Sequence, residues 1–345
     1  MNEILQSEET LEDDSINPAL RPQYLSEFAG QGAIKQNLGT FILAAKQRNE
    51  SLDHVLLSGP PGLGKTTLAS IIAKELDSEI RITSAPALEK PKDLAGILTT
   101  IPEFGVLFID ELHRLRPAIE ELLYTVMEER ALDWIIGQGP AARTIRIPLP
   151  KCTLVGATTR PGAVSEPMRN RFGINFRLQY YTDAELEQIL ARSADLLSIE
   201  VEPNAYKRIA ESSRGTPRVA NRLLRRIRDI AQVAGHHRLT LDVIERALNA
   251  LEIDKNGLEL QDKVILKKII QHFNGGPVGV QSIAIAIGES QDSIEQYYEP
   301  YLIRKGFLQR TSKGRIATAA AYELLGEEKE MLHSEQRNED QQTFL

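Results

Sequence analysis

The chain has a single cysteine, Cys152, among its 345 residues. That excludes an internal disulfide and a cysteine-built zinc site, and it suits a reducing compartment. Long apolar runs are also missing. Nothing approaches the ~18 consecutive apolar residues that a membrane-spanning helix needs. The first twenty or so residues lack a basic stretch followed by an apolar core, so no secretory signal is expected. The expectation is a cytoplasmic protein with no membrane partner. The composition itself is ordinary, with 42% hydrophobic and 26% charged residues, which excludes wholesale disorder. At about 150 residues per domain, the length calls for two or three domains.

The net charge of -7 is unevenly spread. Residues 1–14 hold six acids and no base, and residues 327–345 hold six acids against two bases. Without these ends the body carries +3. Within it, residues 207–228 hold eight Lys/Arg against one acid, and residues 302–315 hold five against none. Basic patches on a balanced body suit a polyanionic partner, although a charge run is also what a solvated helix face looks like.

An acidic arm (1–17) and a Glu/Gln-rich tail (326–345) read as disordered. Between them, Val55–Ser58, Ile80–Thr83, Val106–Ile109 and Thr153–Ala157 read as buried strands. Helical periodicity over 34–48, 66–76 and 118–129 separates them. That alternation predicts an α/β domain over 18–181, a parallel sheet with helices on both faces. From about 182 the strands are expected to stop. Thr182 and Glu185 have capping-box spacing, Thr216-Pro217 reads as an N-cap with proline at the first helical position, and a further helix follows Thr240. Residues 182–253 therefore read as a small helical domain. Helical patterns at 262–273, 279–287 and 290–304 precede two short strands, Phe307–Arg310 and Arg315–Thr318, around the turn Thr311–Gly314. Three helices followed by a two-stranded ribbon is a winged-helix layout, assigned to 254–325.

Gly59-Pro60-Pro61-Gly62-Leu63-Gly64-Lys65-Thr66 fits G-x-x-x-x-G-K-[ST] and sits between a buried strand and a helix, where the chemistry requires it. Gly59, Gly62 and Gly64 let backbone N–H groups wrap phosphates, aided by the helix N-terminus. Lys65 is expected on the β/γ-phosphates and Thr66 on Mg²⁺, with Thr67 in the same cradle. Forty-five residues beyond Lys65, the strand Val106–Ile109 ends in Asp110-Glu111. An acid there suits Mg²⁺, and a second acid can deprotonate an attacking water, which favours hydrolysis over phosphate transfer to an acceptor. His113 completes a D-E-x-H string and by itself reads as a packed or exposed turn residue.

GPPGLGKTT, LFIDELHRL, GATTRPG, EPMRNRFGI and GTPRVANRLLRRIRD occur in this order, with the more particular strings IGQGPAARTIRI, GGPVGV and EPYLIRKGFLQRT. Together they resemble the RuvB family of AAA+ motors, which drive Holliday-junction branch migration, over roughly residues 18–325. The resemblance implies a RecA-like AAA+ ATPase domain, a helical lid and a winged-helix head, assembled as a homohexamer that uses ATP and Mg²⁺. It implies that Thr158 and Thr159 sense the γ-phosphate, and that Arg218 is a second sensor in the lid. Arg171 corresponds to an arginine finger inserted into a neighbouring subunit's site; from the residues alone Arg169 offers the same chemistry. Leu20 and Arg21 match the segment over the adenine, with Tyr181 at the domain junction. Glu128, Glu129 and Arg130 match a stretch tied to the neighbouring nucleotide.

Leu132–Ile136 and Thr144–Ile147 alternate apolar residues and read as a hairpin protruding from the ATPase domain. Trp134, Ile135 and Ile136 would then expose considerable apolar surface. In the family this hairpin (about 132–147) docks on RuvA, and RuvC is the expected downstream resolving partner. In the head, Glu289, Asp292, Glu295 and Glu299 make the recognition-helix position acidic, which is poor electrostatics for reading bases. The ribbon is basic instead, and the resemblance implies phosphate contacts by Arg310 and Arg315. Some relatives carry arginine where this chain has Gln291. Two other readings stay open from the residues: a DNA-binding regulator that uses ATP as a switch, and a clamp-loader subunit, which would end in a helical collar.

Overall fold

In the computed structural model, residues 20–136 and 143–327 are described. The acidic arm, the hairpin tip and nearly all of the acidic tail lie outside them. The chain divides into two compact units, 1–247 and 248–345. The lid thus belongs to the same unit as the ATPase domain. Among the described residues, no helix is long and apolar enough to cross a membrane.

The first unit is built on a five-stranded sheet. In chain order its early elements are α1 (Gly32–Arg48), β1 (Val55–Ser58), α2 (Lys65–Glu75), β2 (Ile80–Ser84), α3 (Pro91–Leu98), β3 (Val106–Asp110) and α4 (Pro117–Glu129). There follow β4 (Ala131–Ile136), β5 (Arg143–Pro148), β6 (Thr153–Thr158), α5 (Glu166–Arg171) and β7 (Ile174–Arg177). The sheet order is β2-β3-β6-β1-β7, all parallel. One face buries Leu56, Leu107, Ile109 and Leu154 against Leu94, Leu98, Ile119, Leu123 and Phe172. Their sequence neighbours Val55, Leu57, Val106, Phe108 and Val155 point to the other face and are also buried. A strand buried on both faces is the reason these segments read as continuous apolar runs.

The edges depart from expectation. β2 was expected to be buried, yet it is an edge strand with Ile82 57% exposed. β7, the opposite edge, has no apolar run: Ile174 and Phe176 are buried while Asn175 and Arg177 are exposed. Strands β4 and β5 form the expected antiparallel hairpin, with Trp134 opposite Ile145 and Leu132 opposite Ile147. Trp134 and Ile147 are half-buried against the ATPase core rather than fully displayed, whereas Ile145 is exposed.

The lid comprises α6 (Asp183–Leu196), α7 (Ala205–Ser212), α8 (Pro217–Val233) and α9 (Leu241–Ala250), the last crossing the boundary between units. The Thr182–Glu185 capping box forms, side chain to backbone in both directions. Thr216 does occupy the N-cap position of α8, but its hydroxyl donates to the Ser213 carbonyl instead of accepting a helix amide. Strands do not stop entirely: β8 (Glu200–Val201) and β9 (Arg238–Leu239) pair in parallel.

The second unit has α10 (Leu260–His272), α11 (Val280–Ile287), α12 (Gln291–Ser293), a π-helical turn (Ile294–Tyr298) and α13 (Glu299–Arg304). A ribbon of β10 (Leu308–Thr311) and β11 (Gly314–Ala317) follows, then α14 (Ala319–Leu325), which periodicity had not suggested. Ile265, Leu266, Ile269, Ile283, Ile294, Leu302 and Leu308 form its core. Gly314 sits at φ 138°, and a Cβ there would lie 2.6 Å from the Val278 carbonyl oxygen. Only glycine lets the ribbon close onto Val278, whose N–H and C=O both bond Arg315.

Candidate active site

The carboxyl ends of β3, β6 and β1 lie side by side, because the sheet order places β6 between the other two and all three run in parallel. Asp110, Thr158 and the loop after Ser58 therefore meet at one sheet edge, the usual ligand crevice of such sheets. The Gly59 amide donates to the Thr158 carbonyl at 3.2 Å, tying the loop to β6. Gly64 is the N-cap of α2, with Lys65, Thr66 and Thr67 in its first turn.

Lys65 is 8% exposed, and its ammonium donates to the carbonyls of Gly59 at 2.9 Å and Pro60 at 2.8 Å. Burial pushes its pKa down to about 8, against the opposing pull of Asp110 and Glu111. The Asp110 carboxylate accepts from the Glu111 amide at 2.8 Å. Glu111 itself has φ 51°, the left-handed region, an uncommon conformation for a residue with a side chain. Its carboxylate pairs with Arg114 at 2.8 Å on the exposed side of the turn.

The two threonines at the end of β6 differ. The Thr158 hydroxyl accepts from the Arg160 amide at 3.0 Å and lies 3.0 Å from His113 Nδ1. Burial lowers the His113 pKa, so its neutral form is favoured. His113 thus links the Asp110-Glu111 turn to β6. The Thr159 hydroxyl, by contrast, is buried with no hydrogen-bond partner among the described residues. A buried orphan donor at the end of β6 is costly without an acceptor. Together with a buried lysine ammonium that donates to loop carbonyls, it fits an incoming phosphate. Thr66 and Asp110, both oxygen donors at this edge, have the hard-ligand chemistry that Mg²⁺ prefers.

The lid reaches this loop directly. Arg218, in the first turn of α8, is exposed, and its amide donates to the Gly62 carbonyl at 3.4 Å. The Tyr181 hydroxyl donates to the Leu63 carbonyl at 3.2 Å, and its amide donates to the Gly215 carbonyl at 2.9 Å. Burial raises the Tyr181 phenol far above its ordinary range. Leu20 is buried and Arg21 half-buried, and the Leu20 carbonyl accepts from Arg192 at 2.7 Å. Arg192 also pairs with Glu27 at 3.3 Å. Arg192 and Phe28, whose ring packs against Gly64, are residues that sequence reasoning missed. Neither sits in a motif.

Arg171 is not placed with this cluster. Its contacts are Glu128 at 2.8 Å, the Pro167 carbonyl at 2.9 Å and the Tyr124 ring, all on α4 and α5. Arg169 instead donates to the carbonyls of Pro161 and Val164. Glu129 pairs with Arg146 on the hairpin, and Arg130 ends α4 in the left-handed region at φ 49°. Glu128 and Arg171 are thus brought together, separately from the phosphate loop.

In the second unit, Arg310 and Arg315 are directly opposed across the ribbon. Their environments are unlike. The Arg310 side chain is 59% exposed, with Glu295 and Glu299 at 3.7 and 3.6 Å. Arg315 is 7% exposed and bonded to Glu299 at 2.9 and 3.2 Å and to Glu295 at 2.8 Å. The resemblance implies phosphate contacts by both arginines; in this structure the Arg315 guanidinium is held by two carboxylates, whereas Arg310 is largely exposed. Of the acids that made the recognition position look hostile to DNA, Glu295 and Glu299 are turned toward the ribbon. Gln291 and Asp292 are exposed at the start of α12.

A phosphate loop at the end of β1, paired acids at the end of β3, threonine hydroxyls at the end of β6 and a helical lid touching the loop define a P-loop ATPase of the AAA+ class. Family models agree along the chain: Holliday junction DNA helicase RuvB P-loop domain over 20–178, RuvB AAA lid domain over 181–254, and RuvB C-terminal winged helix domain over 255–326. A Treponema denticola protein, Holliday junction branch migration complex subunit RuvB, is 58% identical over 324 residues, 94% of each chain. The Salinibacter ruber protein of the same name is 52% identical over 322 residues, 93% of this chain and 94% of its own. A solved structure of Thermotoga maritima RuvB, described as a Holliday junction branch migration motor, matches with a TM-score of 0.82 at 47% identity. It covers 90% of this chain and 99% of its own. The chain belongs to the RuvB family.

Proposed function

We propose that this chain is the ATP-hydrolysing subunit of a homohexameric ring that drives branch migration of Holliday junctions in recombination and repair, in the cytoplasm. The observation that carries this reading is the convergence of Lys65, Asp110, Glu111 and the orphan Thr159 hydroxyl at one sheet edge, with Arg171 facing elsewhere. A site complete except for its arginine is one that a neighbouring subunit finishes.

In this reading Lys65 and the loop amides hold the β/γ-phosphates, and Thr159 donates to a phosphate oxygen. Thr66 and Asp110 would hold Mg²⁺, which when bound would supply positive charge to the phosphate oxygens. Glu111 leaves its exposed pair with Arg114 and takes the proton of the attacking water. Arg171 of a neighbouring subunit, with Glu128–Arg130 beside it, stabilises charge on the transferred phosphoryl group. Arg218 and Tyr181 couple the loop to the lid, so loss of phosphate contacts changes the angle between ATPase domain and lid. Leu20 and Arg21 cover the base.

The head grips duplex DNA through Arg310, without regard to sequence, and Arg315 fixes the ribbon that carries it. RuvA docks on the β4–β5 hairpin, where Ile145 continues an apolar face out from the core. RuvC acts on the junction after migration. The test is ATP turnover with and without duplex DNA of two unrelated sequences. Turnover that rises equally on both supports a motor. Binding of ATP without turnover, or a response to one sequence only, would indicate a nucleotide-switched regulator instead.

A further inference from the structure

Glu120, Tyr124 and Glu128 recur every fourth residue along α4 and so share one face of that helix. All three touch α5. Tyr124 donates its hydroxyl to Glu120 at 2.7 Å and lies 3.1 Å from the Ser165 hydroxyl. Ser165 donates to Glu120 as well, and it caps α5 by accepting from the Met168 amide at 3.2 Å. The first turn of α5 is therefore pinned to α4 through a closed three-member network. Arg171 ends the same short helix, and its guanidinium carbon lies 4.3 Å from the centre of the Tyr124 ring.

The guanidinium is held on three sides: by the ring, by Glu128 and by the Pro167 carbonyl. Its Nε is buried and has no hydrogen-bond partner among the described residues. The Glu128 carboxylate is more than half exposed, so that ion pair alone is weak and does not fix an orientation. A stacked aromatic ring fixes the plane of the guanidinium, and a ring whose own hydroxyl is tied at both ends does not swing.

We infer that Tyr124 is the positioning residue of the arginine finger: it sets the plane in which Arg171 is offered to a neighbouring subunit. The inference rests on the reading of Arg171 as that finger. A finger placed about 1 Å wrong loses much of its effect, so Tyr124 acts on turnover in the adjacent site while leaving its own site intact.

The experiment uses the full-length protein. Tyr124→Leu, which removes ring and hydroxyl, is expected to lower kcat about tenfold with nucleotide affinity unchanged, whereas Tyr124→Phe stays within about threefold. Tyr124→Met, similar in volume, replaces the leucine variant if that does not fold. Each is then mixed with Lys65→Ala, which has an intact finger and an inactive site. In mixed rings the intact site of a Tyr124→Leu subunit meets a sound finger, so turnover recovers; a folding defect would not be relieved in this way. Arg171→Ala mixed with Lys65→Ala is the parallel control. If that control fails to recover although mixing is proven, the finger reading itself is wrong. If the control recovers but Tyr124→Leu either keeps wild-type turnover or gains nothing from mixing, the assignment of Tyr124 is overturned.

Discussion

The backbone amide of Arg218 donates to the Gly62 carbonyl at 3.4 Å, so the lid meets the phosphate loop through main chain as well as through the Tyr181 hydroxyl. Gly62 has φ 78°, and a Cβ there would lie 3.1 Å from the Arg218 Cβ. Gly62→Ala therefore meets both backbone strain and the lid. The strain is about 1 kcal/mol. ATP affinity should fall at least about tenfold as the lid is displaced. Titration with a fluorescent nucleotide checks this, and unchanged affinity would mean the lid and loop are not coupled here.

Glu111→Gln should bind ATP and lose hydrolysis by about 10²-fold or more, because an amide cannot accept the proton. Arg114→Ala should remain active within about threefold, since the Glu111–Arg114 pair is exposed and must open for the base to work. Single-turnover kinetics distinguish the two variants. Near-normal turnover by Glu111→Gln would remove it from the catalytic role.

The buried ammonium of Lys65 gives a pH dependence of defined sign. Between its folded pKa of about 8 and the ordinary lysine value of 10.5, the folded chain has lost a proton that the unfolded chain keeps. This group's contribution to stability thus rises with pH across that window. ATP binding runs the other way, because it needs the ammonium: affinity should fall about tenfold per pH unit above about pH 8, with proton uptake on binding. Calorimetric titration in two buffers of different ionisation enthalpy should show almost no uptake at about pH 7 and close to one proton at about pH 9. Equal uptake at both would contradict the assignment.

The two ribbon arginines should separate cleanly. Arg310→Ala should weaken binding to unrelated duplexes equally, with a salt dependence shallower by about one counterion, and leave the head as stable as before. Arg315→Ala leaves Glu299, 2% exposed, without its hydrogen-bonded partner and with only the exposed Arg310 nearby at 3.6 Å. It should destabilise the head by about 3–5 kcal/mol. Thermal unfolding and salt titration on both variants make the comparison. A stable Arg315→Ala head with a clean loss of DNA binding would place that guanidinium on the phosphate.

Much of this was legible in the chain. Central strands buried on both faces read as apolar runs, and the motif glycines, Lys65 and Asp110-Glu111 are fixed by spacing that the chemistry itself requires. The edge strands were not legible: β2 looked buried because Ile80 and Ile82 are apolar, and β7 has only period-two alternation. Partnerships distant in sequence were also hidden. Nothing in the local pattern ties Arg192 to Leu20, Tyr124 to Arg171, or Arg315 to Glu299. The last pairing gives two of the four acids at the recognition position, Glu295 and Glu299, internal partners on the ribbon.

The most direct test of the account is dissociation of a synthetic four-way DNA junction, followed over time with ATP and Mg²⁺, in the presence and absence of RuvA. The account predicts ATP-dependent dissociation that RuvA strongly accelerates, abolished by Lys65→Ala and by Glu111→Gln, and equal for junctions whose arms differ in sequence. Binding to the junction without ATP-dependent dissociation, under conditions where the same preparation hydrolyses ATP, would contradict it.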